Sequence, residues 1–185
     1  MSTPLIILIV VILVLVLMYN SLVNKKNQVE NIFASVDIQL KKRYDLIPNL
    51  VASVSKYMEH EKSLLEEVTK LRADANKANI SDEKKIELDA KISSALGSLM
   101  IAVENYPDLK ANENVMHLQR TLNEVEEQIS ASRRAYNQAV TDYNNAIEMI
   151  PTNFMASAMN YKRKQVFEIV EAERKNVDVK KLFNS

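Results

Sequence analysis

Residues 5–18 read LIILIVVILVLVLM, and a polar, glycine-poor chain follows them. The first charged side chain is Lys25. The uncharged stretch from Pro4 to Val23 therefore has the roughly 20 residues that a membrane-spanning helix needs. Tyr19 falls near its end, where the membrane interface favours tyrosine. The stretch predicts a transmembrane anchor over residues 1–23, with the lipid bilayer as a partner.

A cleaved signal peptide is the alternative interpretation of this stretch. Signal peptides combine a basic start, a shorter apolar core and a cleavage site between small residues. Residues 1–4 contain no basic side chain, and residues 19–23 (YNSLV) offer no such site. The chain also has no cysteine, which excludes a lipoprotein anchor and disulfide bonds. The pattern favours an uncleaved, single-pass anchor.

Basic residues after the apolar stretch bear on its orientation. Lys25 and Lys26 follow it directly, and residues 41–43 read KKR. Positive charge near a membrane span tends to stay on the cytoplasmic side. The sequence therefore favours a helical domain in the cytoplasm over an extracytoplasmic one.

Composition indicates an all-α protein. The chain has one Gly, four Pro and no Trp, whereas a β-rich or α/β enzyme of this length needs more Gly for its turns and phosphate loops. Basic and acidic residues are equal, at 24 each, so the net charge is zero. Nucleic-acid binding needs a basic footprint, and we expect no such partner.

Apolar residues continue at helical spacing beyond the anchor. Leu22, Val29 and Val36 recur every seven residues, and no Gly or Pro interrupts the run before Pro48. The membrane helix is therefore predicted to continue directly into the domain. Pro48 removes one backbone hydrogen bond. The apolar pattern resumes after it, which predicts one helix to residue 76, kinked near residues 43–47.

Three further helices follow in the pattern. They are predicted from Ser81 to about Tyr106, from Leu109 to Ile150 before Pro151, and from Phe154 to about Lys175. Amphipathic helices with short connections pack most simply as an antiparallel bundle. The predicted fold is all-α: an N-terminal transmembrane helix that continues into an elongated antiparallel four-helix bundle at residues 24–176. A short C-terminal tail would occupy residues 177–185.

No catalytic pattern stands out. His60 and His117 are the only histidines, and neither has the spacing of a zinc-protease helix or of a di-iron bundle. Phosphate loops are impossible with the single glycine, Gly97. We therefore expect a protein that is not an enzyme and uses neither a cofactor nor a metal ion.

Two polar clusters are the candidate interaction or structural sites. One interpretation is internal: Arg43 or Arg133 pairs with Asp45 across the bundle, and asparagines bind backbone groups opened by the kink. The other is a polar surface that binds a second copy or a partner. The residues are Arg43, Asp45, Pro48 and Asn49 in the first cluster, and Arg133, Arg134, Tyr136, Asn137, Tyr143 and Asn144 in the second.

These clusters also carry a resemblance to a known family. The chain resembles the LemA family along nearly its whole length, with short motifs in the same order. Members usually have Trp after the Val-Glu-Asn element, where this chain has Phe33. The matching motifs are YNxLV at 19–23, VEN at 29–31, DIQL at 37–40, RYDLIPNL at 43–50, HE at 60–61, ASRRxYN at 131–137, YN at 143–144 and Pro151.

The resemblance implies a bacterial, single-pass membrane protein with a helical bundle and no assigned biochemical activity. One relative acts in forming an intracellular membrane organelle. Others are similar to proteins whose genes lie near the genes of membrane proteases and envelope proteins. No catalytic residue carries over. The expected function is a non-enzymatic, coiled-coil-like scaffold in the bacterial cell membrane, a homo-oligomer that organises or remodels membrane and envelope proteins. The alternative is an adaptor that binds another membrane protein, such as a protease or signalling protein.

Overall fold

Helices make up most of the chain in the computed structural model, which describes residues 3–167. No β-strand occurs in that range, and the predicted all-α class is confirmed. The antiparallel four-helix arrangement stays a prediction. The helices are α1 (Thr3–Val54), α2 (Lys62–Ala75), α3 (Asp82–Val103), α4 (Pro107–Lys110), α5 (Glu113–Glu148) and α6 (Thr152–Ala158), with a short 3-10 helix at Glu59–Glu61.

The helix α1 has an exposed apolar part and an amphipathic part. Side chains from Leu5 to Leu17 are exposed, whereas the core helix of a soluble protein would bury them. Among residues 3–167, α1 is the one helix long and apolar enough to cross a membrane. From Leu22 onwards the same helix buries a stripe that includes Val29 and Val36. The predicted continuity between the apolar stretch and the domain is confirmed.

The first long helix ends earlier than predicted. Pro48 lies inside α1, which ends at Val54, and a separate helix α2 begins at Lys62. The expectation of one kinked helix to residue 76 is therefore wrong. Ser53 and Ser55 donate hydroxyl hydrogen bonds to carbonyl oxygens at Asn49 and Ala52. The same kind of hydroxyl bond occurs inside α2 and α5, so it does not end the helix by itself. Serine and β-branched residues, which are weaker helix formers than alanine or leucine, make up most of the last turn.

The described residues divide into two compact units. Unit 1 comprises residues 3–39 and 127–166, and its core includes Phe33 of α1 and Tyr136 of α5. Unit 2 comprises residues 40–126 and Phe167, and its core is built mainly on apolar residues of α1, α2 and α3. The predicted division into anchor, bundle and tail stays a prediction, and the tail lies outside the described residues.

The last predicted helix is much shorter in the structure. It was expected from Phe154 to about Lys175, but α6 ends at Ala158, and residues 161–167 have no regular secondary structure. Asn160 adopts a left-handed φ of 53°. The amide N–H of Asn160 donates to Ser157, and that of Tyr161 donates to Ala156. This is the Schellman pattern that terminates helices, usually at glycine and sometimes at asparagine. Residues 168–175 lie outside the described range.

Candidate functional site

Pro48 leaves one backbone carbonyl of α1 without its helical donor. Proline has no N–H, so the carbonyl oxygen of Tyr44, four residues earlier, loses its partner within the helix. Arg72 of α2 supplies a substitute, because its Nε donates to the Tyr44 carbonyl oxygen at 2.8 Å. Asn49 was expected to satisfy such groups, but its side chain is exposed and the donor is Arg72. The proline thus creates an attachment point for α2.

One turn before the proline, Arg43 lies completely buried in unit 2. Its Nη2 donates to Asp89 Oδ1 of α3 at 2.6 Å. Its Nη1 donates to Ser93 Oγ of α3 at 2.8 Å and to Glu126 Oε2 of α5 at 3.0 Å. We call Arg43, Asp89, Ser93 and Glu126 the arginine cluster. One guanidinium connects three helices, because its rigid fork presents several donors at once.

The charge balance of the arginine cluster keeps the guanidinium ionised. Burial by itself lowers the pKa of Arg43, but attraction to Asp89 and Glu126 outweighs burial and raises the pKa above its usual value. Asp89 is almost fully buried, while the Glu126 side chain is about one-third exposed, at 35%. A buried ion pair contributes little net stability over an apolar core, but losing one partner is strongly destabilising. The cluster therefore specifies how three helices meet.

The other members of the first predicted cluster face solvent. Asp45, Pro48 and Asn49 are all exposed. Asp45 forms an ion pair with Lys41, one turn earlier on α1. The expected pairing of Asp45 with Arg43 or Arg133 is wrong, because Asp45 points away from the buried face that carries Arg43.

The residues of the second predicted cluster lie on different faces of α5, so some are buried and others are exposed. Arg133 and Tyr136 are buried, whereas Arg134 is exposed and donates to Ser130 Oγ at 2.9 Å. The Tyr136 ring packs on Phe33 of α1 with centroids 5.3 Å apart and ring planes at 57°. Asn137 is half-buried. Only Arg134 among these residues presents its side chain mainly to solvent.

Two residues at the end of α5 hold the segment that follows α6. Asn144 Nδ2 donates to the Lys164 carbonyl oxygen, and the Lys164 N–H donates to Asn144 Oδ1, both at 3.0 Å. Tyr143 donates its hydroxyl hydrogen to the Lys162 carbonyl oxygen at 3.1 Å. The side-chain amide of Asn144 thus binds both the N–H and the carbonyl oxygen of Lys164. We call Tyr143 and Asn144 with residues 161–164 the clasp.

An apolar groove lies between α1 and α6 within unit 1. Its volume is about 520 Å³. Met149, Ile150 and Phe154 are strongly exposed beside it, around the cis Ile150–Pro151 peptide bond. The residues that line the groove are Val10, Val11, Val14, Leu15 and Met18 of α1, and Pro151, Phe154, Met155 and Ala158.

Sequence reasoning identified Arg43 but missed its partners. Asp89 carried a detectable signal: it lies three residues from both Ile86 and Ile92, on the apolar face of α3. Ser93 and Glu126 lie on boundary positions that no periodicity distinguishes. Pro48 predicts that the Tyr44 carbonyl oxygen needs a donor from outside α1, and Arg72 is that donor in the structure.

The polar contacts described above join helices and neighbouring segments of the chain. Within the described part of the chain, no three His, Asp or Glu side chains lie together as metal ligands. His60 and His117 are exposed. The buried charged groups form contacts between helices, and such contacts can position elements of a fold.

Comparisons with known proteins identify the family of this chain. Residues 32–180 match the model of the LemA family. The chain is 27% identical to the protein LemA of Metamycoplasma hominis over 165 residues, which cover 89% of this chain and 75% of that protein. It is 35% identical to magnetosome protein MamQ 2 of Paramagnetospirillum magneticum over 80 residues. It is 32% identical to MamQ of Magnetospirillum gryphiswaldense over 79 residues. Each of those two matches covers 43% of this chain and 29% of the relative.

Proposed function

This chain belongs to the LemA family, and we propose that it is a membrane-anchored, non-enzymatic scaffold that assembles with copies of itself. In this role it organises or remodels membrane and envelope proteins. One observation carries the proposal: α1 continues from the exposed apolar residues at its start into the buried stripe that begins at Leu22. A continuous helix transmits position and orientation from the membrane to the domain, which a flexible linker does not.

The relatives support a role at membranes. Magnetosome proteins are among them, although this chain spans less than a third of their length. The charged groups of the arginine cluster hold helices together, and no reaction is assigned to them. The proposal therefore concerns assembly and position in a membrane.

The mass and shape of the full-length protein in a mild detergent test self-assembly directly. Size exclusion with light scattering gives the protein mass, and electron microscopy of the same peak gives the shape. We expect a discrete particle with a mass several times that of the 21.1 kDa chain. A monodisperse monomer across a dilution series would contradict self-assembly. If that monomer also captured one membrane protein in fixed proportion, the adaptor function would replace the scaffold.

The proposal includes a cytoplasmic helical domain, which Lys25 and Lys26 support as basic residues next to the anchor. The chain has no cysteine, so a single Ser63→Cys variant gives one labelling site on the exposed surface of α2. We expect a membrane-impermeant maleimide to label this site only after the cells are opened. Labelling of intact spheroplasts would place the domain outside the cytoplasm.

A further inference from the structure

The groove between α1 and α6 places a second part of the chain beside the membrane anchor. One wall is formed by Val10, Val14 and Met18 of α1, and the other by Pro151, Phe154 and neighbouring residues. Val10 precedes Tyr19 by nine residues, which is about 13 Å along an α-helix. If Tyr19 lies at the membrane interface, the groove extends through most of one half of the hydrocarbon core, which is about 30 Å thick in total.

The chain around α6 is uncharged and presents large apolar side chains to its surroundings. No charged residue occurs from Met149 to Tyr161. Met149, Ile150 and Phe154 are 63%, 78% and 70% exposed, although they are large and apolar. Phe154 lines the groove together with apolar side chains of α1, and Met149 and Ile150 come just before Pro151, which also lines it. An exposed apolar surface of this kind marks a site of contact with a membrane or another protein.

Backbone hydrogen bonding in this segment suits an apolar environment, where unsatisfied N–H and C=O groups are costly. Pro151 has no N–H to satisfy. The Thr152 hydroxyl donates to the Ala146 carbonyl oxygen near the end of α5 at 2.6 Å, and the Asn153 N–H donates to the Met149 carbonyl oxygen at 2.8 Å. The N–H groups of Asn160 and Tyr161 are satisfied by the Schellman bonds that end α6.

Polar and charged groups flank the apolar segment on both sides. Glu148, directly before it, forms an ion pair with Arg163, two residues beyond Tyr161. Lys162 and Lys164 adjoin Arg163, and the ring of Tyr161 packs against Tyr143 with centroids 6.0 Å apart. Tyrosine and basic side chains favour the headgroup region of a bilayer. The segment thus begins and ends at groups suited to one interface.

We propose that residues 149–160 form a second membrane-inserted segment, which enters and leaves the leaflet nearest the helical domain beside α1. Acyl chains of that leaflet occupy the groove. This inference rests on the proposed membrane anchoring of α1. It gives the domain two attachments to the bilayer, and the second fixes the rotation of the domain about the axis of α1.

Fluorescence quenching in phosphatidylcholine vesicles tests the depth of this segment in the full-length protein. Single cysteines replace Phe154, Leu13 and Gln138 in turn, and each carries an environment-sensitive dye. Leu13 reports on the anchor, and Gln138 is an exposed residue of α5 ten positions before Glu148. We expect spin-labelled lipid to quench the dyes at 154 and 13 several-fold more than the dye at 138. Aqueous iodide should quench mainly the dye at 138.

The dyes at positions 13, 138 and 154 distinguish a failure of the second inserted segment from a failure of the anchor. Lipid quenching at 13 with iodide quenching at 154 would overturn the inference and leave the anchor intact. Iodide quenching at both 13 and 154 would contradict the anchor itself. A dye at 154 that neither quencher reaches would mean that protein, such as a second copy, covers this position, and this also overturns the proposal.

A second variant tests the same proposal without changing the buried core. The exposed side chains Ile150 and Phe154 are both replaced by Asp, and the dye is attached at Met149→Cys. We expect the double substitution to shift the dye from lipid quenching to iodide quenching, while a dye at Leu13→Cys keeps its lipid quenching. The control is Gln138→Glu, which should leave the dye at 149 unchanged. An unchanged dye in the double variant would contradict insertion.

Discussion

The two compact units stabilise their helix contacts in different ways. In unit 2, Arg43 is completely buried and makes its hydrogen bonds to the carboxylates of Asp89 and Glu126 and to one hydroxyl. In unit 1, the corresponding contacts are an aromatic pair between α1 and α5 and the amide pairing of Asn144 with backbone. The first arrangement gathers several hydrogen bonds on one buried guanidinium, whereas these two contacts of unit 1 involve separate, uncharged side chains. Loss of Arg43 from unit 2 should therefore cost more stability than loss of Asn144 from unit 1.

The largest effect is expected from Arg43→Met. This change leaves the Asp89 carboxylate buried without the Arg43 guanidinium. Removing one partner of a buried ion pair costs about 3–5 kcal/mol. The measurement is chemical unfolding followed by circular dichroism, with the full-length protein in one fixed detergent. Lys42→Met is the control, because Lys42 is exposed on the same turn and its loss should cost less than about 0.5 kcal/mol.

The double variant Arg43→Met with Asp89→Leu sharpens this test. Removing both charges should cost clearly less than the sum of the two single changes, because neither charge is then left alone. Additive losses would show that Arg43 contributes through packing and not through its ion pair.

The next largest effect is expected from Arg133→Glu in unit 1, compared with its neighbour Arg134→Glu. Arg133 is 7% exposed, so a reversed charge enters a buried site and should cost about 3 kcal/mol or more. Arg134 is exposed, and its reversal should change the free energy of unfolding by about 0.5 kcal/mol at most.

The Arg133→Glu and Arg134→Glu variants also distinguish an effect on folding from an effect on self-assembly. A normal unfolding curve with a smaller particle mass for Arg134→Glu would place a contact between copies on the exposed face of α5. Equal destabilisation by both reversals would contradict the burial difference between the two positions.

How far the sequence predicted these regions depends on the range of the interactions. The continuity of α1 follows from local periodicity, as does the burial of Val29 and Val36, and both were predicted. The partners of Arg43 were not predicted, because Asp89 and Glu126 lie 46 and 83 residues away in the sequence. Only the packing of three helices brings them together.

Helix ends were the least predictable local feature. No single residue marks the end of α1 at Val54, and the end of α6 depends on Asn160 in a left-handed conformation. Apolar periodicity alone does not distinguish such a residue from one inside a helix. Tyr143 and Asn144 were identified, but their backbone partners at 162–164 were hidden because a longer fourth helix had been predicted.

A moderate effect is expected from Asn144→Ala, which removes both hydrogen bonds to Lys164. Each such bond contributes about 1 kcal/mol, so the clasp should lose about 2 kcal/mol. Trypsin cleavage after residues 162–164 measures this loss directly and should become faster. Asn145→Ala is the matched control, because Asn145 is the exposed neighbour on α5. Equal cleavage rates in the two variants would mean that the clasp does not hold this segment in solution.

The smallest effect is expected from Arg72→Met in unit 2, because Arg72 donates to a neutral backbone carbonyl and not to a carboxylate. Arg72→Met removes the donor to the Tyr44 carbonyl oxygen and should cost about 1.5 kcal/mol, the low end for a hydrogen bond with one charged partner. Pro48→Ala restores a backbone N–H at the position that normally serves this carbonyl. In the Pro48→Ala background, Arg72→Met should therefore cost less than it does in the natural chain. The unfolding free energies of the four proteins in this cycle measure the difference. An identical cost in both backgrounds would show that Arg72 stabilises α2 through packing of its stem, independently of the carbonyl that the proline leaves open.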